Sequence, residues 1–415
     1  MIKTADSQLV PHSSETALKG VLIVVMTKRN SPWLLAVILV SYFVVGFPDG
    51  AFTISWLGIS DDLSLTLAHS GYILVAYSVT YTIAGVILSR LNRFIRLQTI
   101  YLWGLIIMGA GFIGLALSPS YVTVLASIAL YGFGTGIMAS SMNAYMAKHF
   151  SAKHNNWMHC FWGGGATLSP VIMSQMMVVL SWRAGYFVIA GIVGIVAIIL
   201  LISMYKKIWI NDDEAAAEDT TKAVVKKRYL TKKWHQVVEI LTFFFLGGTD
   251  YTLVFFTGMV LMERGLSLEA VGLFSAVYYV CMTAGRMFFG WLAKWLKEVP
   301  IIRIGIGIAV AGIGVLYFTS NIIGMAMTGF GLAPLLPTLV SDTSNRFTPN
   351  AISKLVGYEL AAFGAGIAVL FFITSLVLEF VTLEALFPIG VLFIALVFLC
   401  NEIIVRAVKA NDSSA

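Results

Sequence analysis

Apolar stretches of twenty or more residues, separated by short polar punctuation, recur along the whole chain. Twelve of them can be read, at about 33–57, 70–90, 97–117, 121–147, 157–180, 184–204, 236–262, 270–292, 300–319, 322–341, 355–378 and 383–405. Roughly 20 mainly apolar residues suffice to cross the hydrocarbon core of a bilayer as a helix. Outer-membrane strands alternate apolar and polar residues with a period of two, and these runs show no such alternation. The pattern therefore predicts an all-α membrane protein with twelve transmembrane helices.

The spacing is interrupted once, at residues 205–234. This segment is acidic first (Asp212, Asp213, Glu214, Glu218, Asp219) and then basic (Lys226, Lys227, Arg228, Lys232, Lys233), and it is too polar to enter a bilayer. It divides the chain into a first six-helix bundle at 31–204 and a second at 235–405, with tails at 1–30 and 406–415. Residues 1–25 hold no apolar run long enough to cross, and Met26 reads as an ordinary start, with residues 1–25 upstream of it.

The two halves repeat. A gapless shift of 201 pairs Phe43 with Phe244, Gly46 with Gly247, Asp49 with Asp250, Gly71 with Gly272, Tyr77 with Tyr278 and Thr82 with Thr283. Further along, Gly132-Phe133-Gly134 pairs with Gly329-Phe330-Gly331 and Phe150 with Phe347, and a small insertion then sets His159 against Glu359 and Gly164 against Gly364. Two pseudo-symmetric bundles of parallel topology are an architecture of alternating access, with the solute near the midplane between them.

Composition agrees with this and removes a competing idea. The chain is 59% apolar and 12% charged, with mean hydropathy +0.88; soluble domains carry about a quarter charged residues. A net charge of +6, taken by itself, suits a nucleic-acid partner. If the N-terminus is inside, however, 24 of the 27 Lys and Arg fall on the cytoplasmic side, with only Arg183 and Arg264 outside and Arg286 within the eighth span. That is the positive-inside bias, and it places both termini in the cytoplasm without a nucleic-acid partner. Cys160, Cys281 and Cys400 all lie in spans at no metal-ligand spacing and read as small apolar fillers.

Ionisable groups inside spans are expensive and are functional candidates. Asp49, in Val45-Gly46-Phe47-Pro48-Asp49-Gly50, and Asp250, in Gly247-Gly248-Thr249-Asp250-Tyr251, lie mid-span among apolar neighbours, where desolvation favours the neutral acid. His159 and Glu359 lie a few residues into spans 5 and 11 and are candidate proton carriers. Near them, Tyr77, Asn143, Trp162, Tyr251, Tyr278 and Tyr358 offer the flat faces and hydrogen-bonding groups that suit a hydroxylated solute. Arg286, close to the end of its span, reads as snorkelling to the headgroups.

Gly85 with Ser89-Arg90-Leu91-Asn92-Arg93, and Gly285-Arg286 with Gly290-Trp291-Leu292-Ala293-Lys294, resemble the Gly-x-Leu-Ala-Asp-Arg loop signature of the major facilitator superfamily, Ser89 standing where an acid is usual. The Gly-x-x-Asp of the first span, Asn143, and His159-Cys160-Phe161-Trp162-Gly163-Gly164-Gly165-Ala166 with Pro170 are most similar to its fucose permease group of sugar and proton symporters, although Ala139 falls where that group has an acid. The resemblance implies a twelve-helix carrier in which Asp49 couples solute to protons.

Catalytic and nucleotide-binding motifs are lacking, with no His-Glu-x-x-His, Gly-x-Ser-x-Gly, Cys-x-x-Cys or Walker sequence. The expectation is a monomeric plasma-membrane carrier, not an enzyme, that needs no cofactor or metal and moves a small polar solute, a sugar foremost, with protons. A proton-driven exporter of drugs, metabolites or amphiphiles has the same pattern. A transporter-like sensor would need an output domain larger than the linker.

Overall fold

The computed structural model describes residues 32–91, 94–150, 152–209 and 230–413. The whole of the expected N-terminal tail, residues 210–229 of the linker, and Asn92 and Arg93 of the loop signature lie outside the described residues.

Twelve helices make up the described chain: α1 (Pro32–Asp62), α2 (Leu67–Leu91), α3 (Leu97–Ala116), α4 (Tyr121–His149), α5 (Ala152–Val179), α6 (Trp182–Tyr205), α7 (Lys233–Glu263), α8 (Leu268–Leu292), α9 (Glu298–Thr319), α10 (Ile322–Arg346), α11 (Pro349–Phe380) and α12 (Leu386–Ser413). Without water to satisfy amides in hydrocarbon, a helix closes its hydrogen bonds within the segment. Polar residues at the turns begin several of them. Ser181, Ser267 and Asn321 each accept a backbone amide from the first turn that follows.

Eleven of these helices are long and apolar enough to cross a membrane. The exception is α5, whose 28 residues begin with the polar sequence Lys153-His154-Asn155-Asn156. The last helix runs to Ser413, past residue 405 where the apolar pattern ends, because a helix needs hydropathy to enter a membrane but not to project from it. Ile195, Leu201, Phe318 and Phe380 are exposed on the outer surface, as side chains facing lipid are. With an even number of crossings, the start of α1 and the end of α12 share one side, called here the terminal face.

Helices α1–α6 pack mainly among themselves, and so do α7–α12, with α3 against α4 and α7 against α11 in extensive contact. Close approach is achieved at glycines, and the same crossings occur in both halves. A β-carbon built on Gly165 of α5 would lie 1.8 Å from the Phe43 carbonyl oxygen of α1, and one on Gly366 of α11 would lie 1.8 Å from the Phe244 oxygen of α7. A β-carbon on Gly134 would lie 2.7 Å from the Gly104 oxygen, and one on Gly331 would lie 2.6 Å from the Gly305 oxygen. Gly132 and Gly329 face the carbonyls of Tyr77 and Tyr278. Such backbone-to-backbone packing replaces the hydrophobic drive that lipid does not supply.

The bundles meet along two seams, α2 with α11 and α5 with α8. Away from the terminal face both seams are tight and equivalent. Gly71 would place a β-carbon 2.6 Å from Ser375 Oγ, and Gly272 one 2.4 Å from Ser174 Oγ. Closer to the terminal face they differ. A β-carbon on Gly163 would lie 1.9 Å from Thr283 Oγ1 in the α5–α8 seam, whereas one on Gly364 would stand 3.9 Å from Thr82 Oγ1 in the α2–α11 seam.

Charges fasten the ends of helices. On the side opposite the terminal face, Arg183 pairs with Asp62 and donates to the Ser118 carbonyl, while Arg264 holds Glu384 at 2.8 and 2.6 Å and the Leu316 carbonyl at 2.8 Å. Inside the second bundle, towards the terminal face, Arg346 is 3% exposed and Glu239 0%. The Arg346 guanidinium donates to both Glu239 oxygens at 3.0 and 2.9 Å, to Asp342 at 2.9 Å and to Asn401 Oδ1 at 2.7 Å. One cation thereby joins α7, α10 and α12.

Two stability predictions follow from this packing. Gly165→Val or Gly366→Val abolishes recovery of monodisperse protein from detergent extracts, measured by fluorescence size exclusion. Gly307→Ala, at a site with no atom within 4 Å, leaves recovery unchanged. Arg346→Met leaves Glu239 buried without its counter-ion at a cost of about 3–5 kcal/mol, so the thermal unfolding midpoint falls markedly, whereas Arg303→Ala at the exposed Glu402 pair changes it little.

Candidate functional site

Pro48 lacks an amide hydrogen, so the Val44 carbonyl cannot bond four residues ahead. Instead the chain tightens into a 3-10 turn over Val44–Gly46, and the Phe47 amide donates to the Val44 oxygen. The next residue after this break is Asp49, whose side chain projects into the gap between the bundles. Its Oδ2 accepts from Trp162 Nε1 of α5 at 3.0 Å, and its Oδ1 accepts from the Tyr251 hydroxyl of α7. One carboxylate is thus held by donors from both halves.

A small pocket lies beside it, lined by Pro48, Asp49, Phe52, Thr53, Leu74, Tyr77, Tyr131, Tyr251 and Phe255. The Phe52 and Phe255 rings, from opposite bundles, stand 5.3 Å apart and close it on the side away from the terminal face. Of the residues singled out in the sequence, Asp49, Tyr77 and Tyr251 come together here, and Trp162 joins them through its indole.

Asp250 accepts from the Tyr278 hydroxyl of its own bundle and does not bridge the halves. The repeat thus preserves a carboxylate and a tyrosine but changes which helix the tyrosine comes from. Asn143 donates to the Tyr42 hydroxyl at 3.3 Å, and the His159 ring meets Tyr42 edge-on at 5.6 Å, so both gather on the terminal side of Asp49. Asn143, His159, Trp162, Asp250 and Arg286 all keep partial exposure. Tyr358 is 61% exposed and joins no contact of this cluster among the described residues.

Glu359 is fully buried elsewhere, in the second bundle. Its Oε1 accepts from Thr343 Oγ1 at 2.9 Å, and Thr343 also lies 3.5 Å from Glu239, which ties Glu359 to the Arg346 cluster. Its Oε2 has no partner. The supposed pairing of His159 with Glu359 fails on register. Gly165 and Gly366 occupy equivalent crossings, as do Gly163 and Gly364 opposite Thr283 and Thr82, so the shift of 201 continues through α5 and α11. Glu359 then corresponds to Met158, one residue short of His159.

Arg286 is the residue that sequence reading misplaced. It does not reach for headgroups. Its guanidinium carbon sits 5.1 Å from the centre of the Trp162 ring, across the α5–α8 seam, a cation–π arrangement. The signal was present in its sequence position, six residues inside the end of α8, but the direction of a side chain around a helix is not written in hydropathy. Tyr42 and Tyr279 were also missed. Tyr279 meets the Trp162 ring edge-on at 6.3 Å.

Comparison with known proteins agrees with this geometry. Residues 38–369 match the Major Facilitator Superfamily. An uncharacterized MFS-type transporter of Bacillus subtilis (strain 168), YtbD, is 25% identical over 360 residues, covering 82% of this chain and 87% of the relative. The probable galactarate/D-glucarate transporter GudP of the same organism is 24% identical, covering 81% of this chain and 83% of its own length. Among solved structures, the MFS transporter FucP in the outward conformation shares the fold with a TM-score of 0.59 at 16% identity, over 91% of this chain and 99% of that one. The sequence resemblance, the helical architecture and the match over most of the chain agree: this protein belongs to the major facilitator superfamily, and it is a multi-pass membrane transporter and not an enzyme.

Proposed function

We propose that this chain is a secondary carrier that moves a small polar solute, a sugar or sugar-derived acid, together with protons. It works as a single chain in the plasma membrane, with both termini in the cytoplasm. The name of the relative GudP supports the solute class, the excess of Lys and Arg on the terminal face supports the orientation, and the paired bundles support alternating access. Asp49 is the proton-coupling group, with Trp162, Tyr251 and Tyr77 around the solute; His159 and Asn143 line its approach from the terminal face.

The observation that carries this reading is the position of Asp49 between donors of opposite bundles. Hydrogen bonds to a charged acceptor contribute about 1.5–3 kcal/mol each, against roughly 0.5–1.5 for neutral pairs. An ionised Asp49 therefore draws α5 and α7 together more strongly than a protonated one. Taking up a proton weakens the link across the gap and eases movement of one bundle against the other. The unequal seams fit such rocking: the α5–α8 contact at Gly163 is tighter than the α2–α11 contact at Gly364. Glu359, buried in the second bundle with one oxygen unpartnered, is a further protonatable group, and Asp250 a third; neither spans the halves.

The test is uptake into proteoliposomes. Solute added to de-energised vesicles alkalinises the medium on the side of addition, and an inwardly directed proton gradient drives accumulation. Asp49→Asn removes gradient-driven accumulation while retaining solute exchange. Accumulation at the wild-type level by a well-folded Asp49→Asn protein overturns the assignment of the proton to Asp49.

A further inference from the structure

The Arg286 guanidinium has an ionic need that the protein does not meet. Among the described residues, Arg183, Arg264, Arg303 and Arg346 each hold a carboxylate within 4.0 Å. Arg286 holds none. Its Nε is buried without a hydrogen-bond partner, and its one polar contact is a terminal nitrogen 3.6 Å from the Met282 sulfur. Asp250 and Asp49 lie within electrostatic reach, but each turns its oxygens towards tyrosine: Asp250 to Tyr278, and Asp49 to Tyr251 and the Trp162 indole. A planar fork of five donors thus stands over an indole ring, its Nε buried, with no oxygen acceptor from the protein.

Removing such a charge from water is costly unless an anion completes it. Asp250, Tyr278, Cys160 and Tyr42, drawn from α1, α5, α7 and α8, act electrostatically on Arg286, and its guanidinium lies over Trp162 of the other bundle, so it belongs to the space between the bundles. That space is where the solute passes in the function proposed above. A carboxylate presents two oxygens at the spacing of the guanidinium fork, and bidentate pairing is the strong form of this contact.

Resting on that carrier reading, we infer that Arg286 receives a carboxylate of the transported solute, with the Trp162 indole backing the guanidinium, so that the substrates are acidic sugars and not neutral ones. The solute's hydroxyl-bearing end then lies towards Asn143, Tyr42 and the tyrosines around Asp49. The arrangement also gives proton coupling an electrostatic reason. A solute carboxylate entering beside two ionised aspartates is repelled by both, and protonation of Asp49 removes one of those charges before the anion arrives. One proton and a monocarboxylate then travel as a pair with no net charge moved.

The experiment uses full-length protein in proteoliposomes with labelled D-glucarate, D-glucuronate, D-glucuronamide and D-glucose. Wild type transports the two acids, and its KM for D-glucuronate is at least tenfold below that for D-glucuronamide, the neutral isostere. Arg286→Gln raises KM for both acids at least tenfold, and Arg286→Lys, which keeps the charge but loses the fork, falls between. Size exclusion and thermal unfolding establish that the variants are folded; where Arg286→Gln is not, the glucuronate and glucuronamide comparison on wild type decides alone. Equal KM for that pair, transport of D-glucose but neither acid, or acid transport unchanged in Arg286→Gln each overturns the role of Arg286 and leaves the carrier standing. Transport of none of the four rejects the carrier of sugars and sugar acids itself, and the inference with it.

Discussion

The structure depends on helices approaching closely enough for one backbone to touch another. Lipid offers no hydrophobic drive between helices that are already apolar, so contact area and backbone proximity must supply the adhesion. Glycine is the residue that permits it. Gly165 against Phe43 in the first half and Gly366 against Phe244 in the second put α-carbons where any side chain would collide with a carbonyl. These crossings set where α1 and α7 sit, and therefore where Asp49 and Asp250 point. The chemistry of the interior is downstream of this packing.

From that frame the two halves diverge in what they do with equivalent positions. In the first half a proline before Asp49 tightens the helix and directs the carboxylate across the gap to Tyr251; in the second, α7 runs unbroken and Asp250 is satisfied by Tyr278 of its own bundle. The first bundle therefore supplies the bridging acid. The second supplies the cation, Arg286, and also an internal ionic lock of Glu239, Asp342 and Arg346 that stiffens its terminal side. Symmetry of the backbone and asymmetry of the charges together make a passage with a distinct acid on one wall and a distinct base on the other.

The seams show how such a body could be rigid and mobile at once. Small side chains meet at Gly71 and Gly272 on the side away from the terminal face, with the Phe52 and Phe255 rings between them. Towards the terminal face the contact is tight at Gly163 and looser at Gly364, so the spacing of the bundles is uneven around the passage. Asn143, His159, Trp162, Asp250 and Arg286 retain partial exposure around this looser part of the passage.

Much of this was legible before any coordinates. Twelve helices, a division between two halves, the shift of 201 and the presence of Asp49 within an apolar helix come from hydropathy, spacing and the cost of a charge in hydrocarbon, all of which are properties of the chain alone. Depth in the membrane and membership of a half are one-dimensional facts. The rest required packing. Arg286 and Glu359 sit at depths the sequence indicated, yet one turns into the interbundle space and the other away from it into the second bundle, and Tyr358 faces outward altogether. Rotation of a side chain about its helix axis, and the identity of the group it meets, depend on neighbours that arrive from distant parts of the chain; an apolar run carries no record of them.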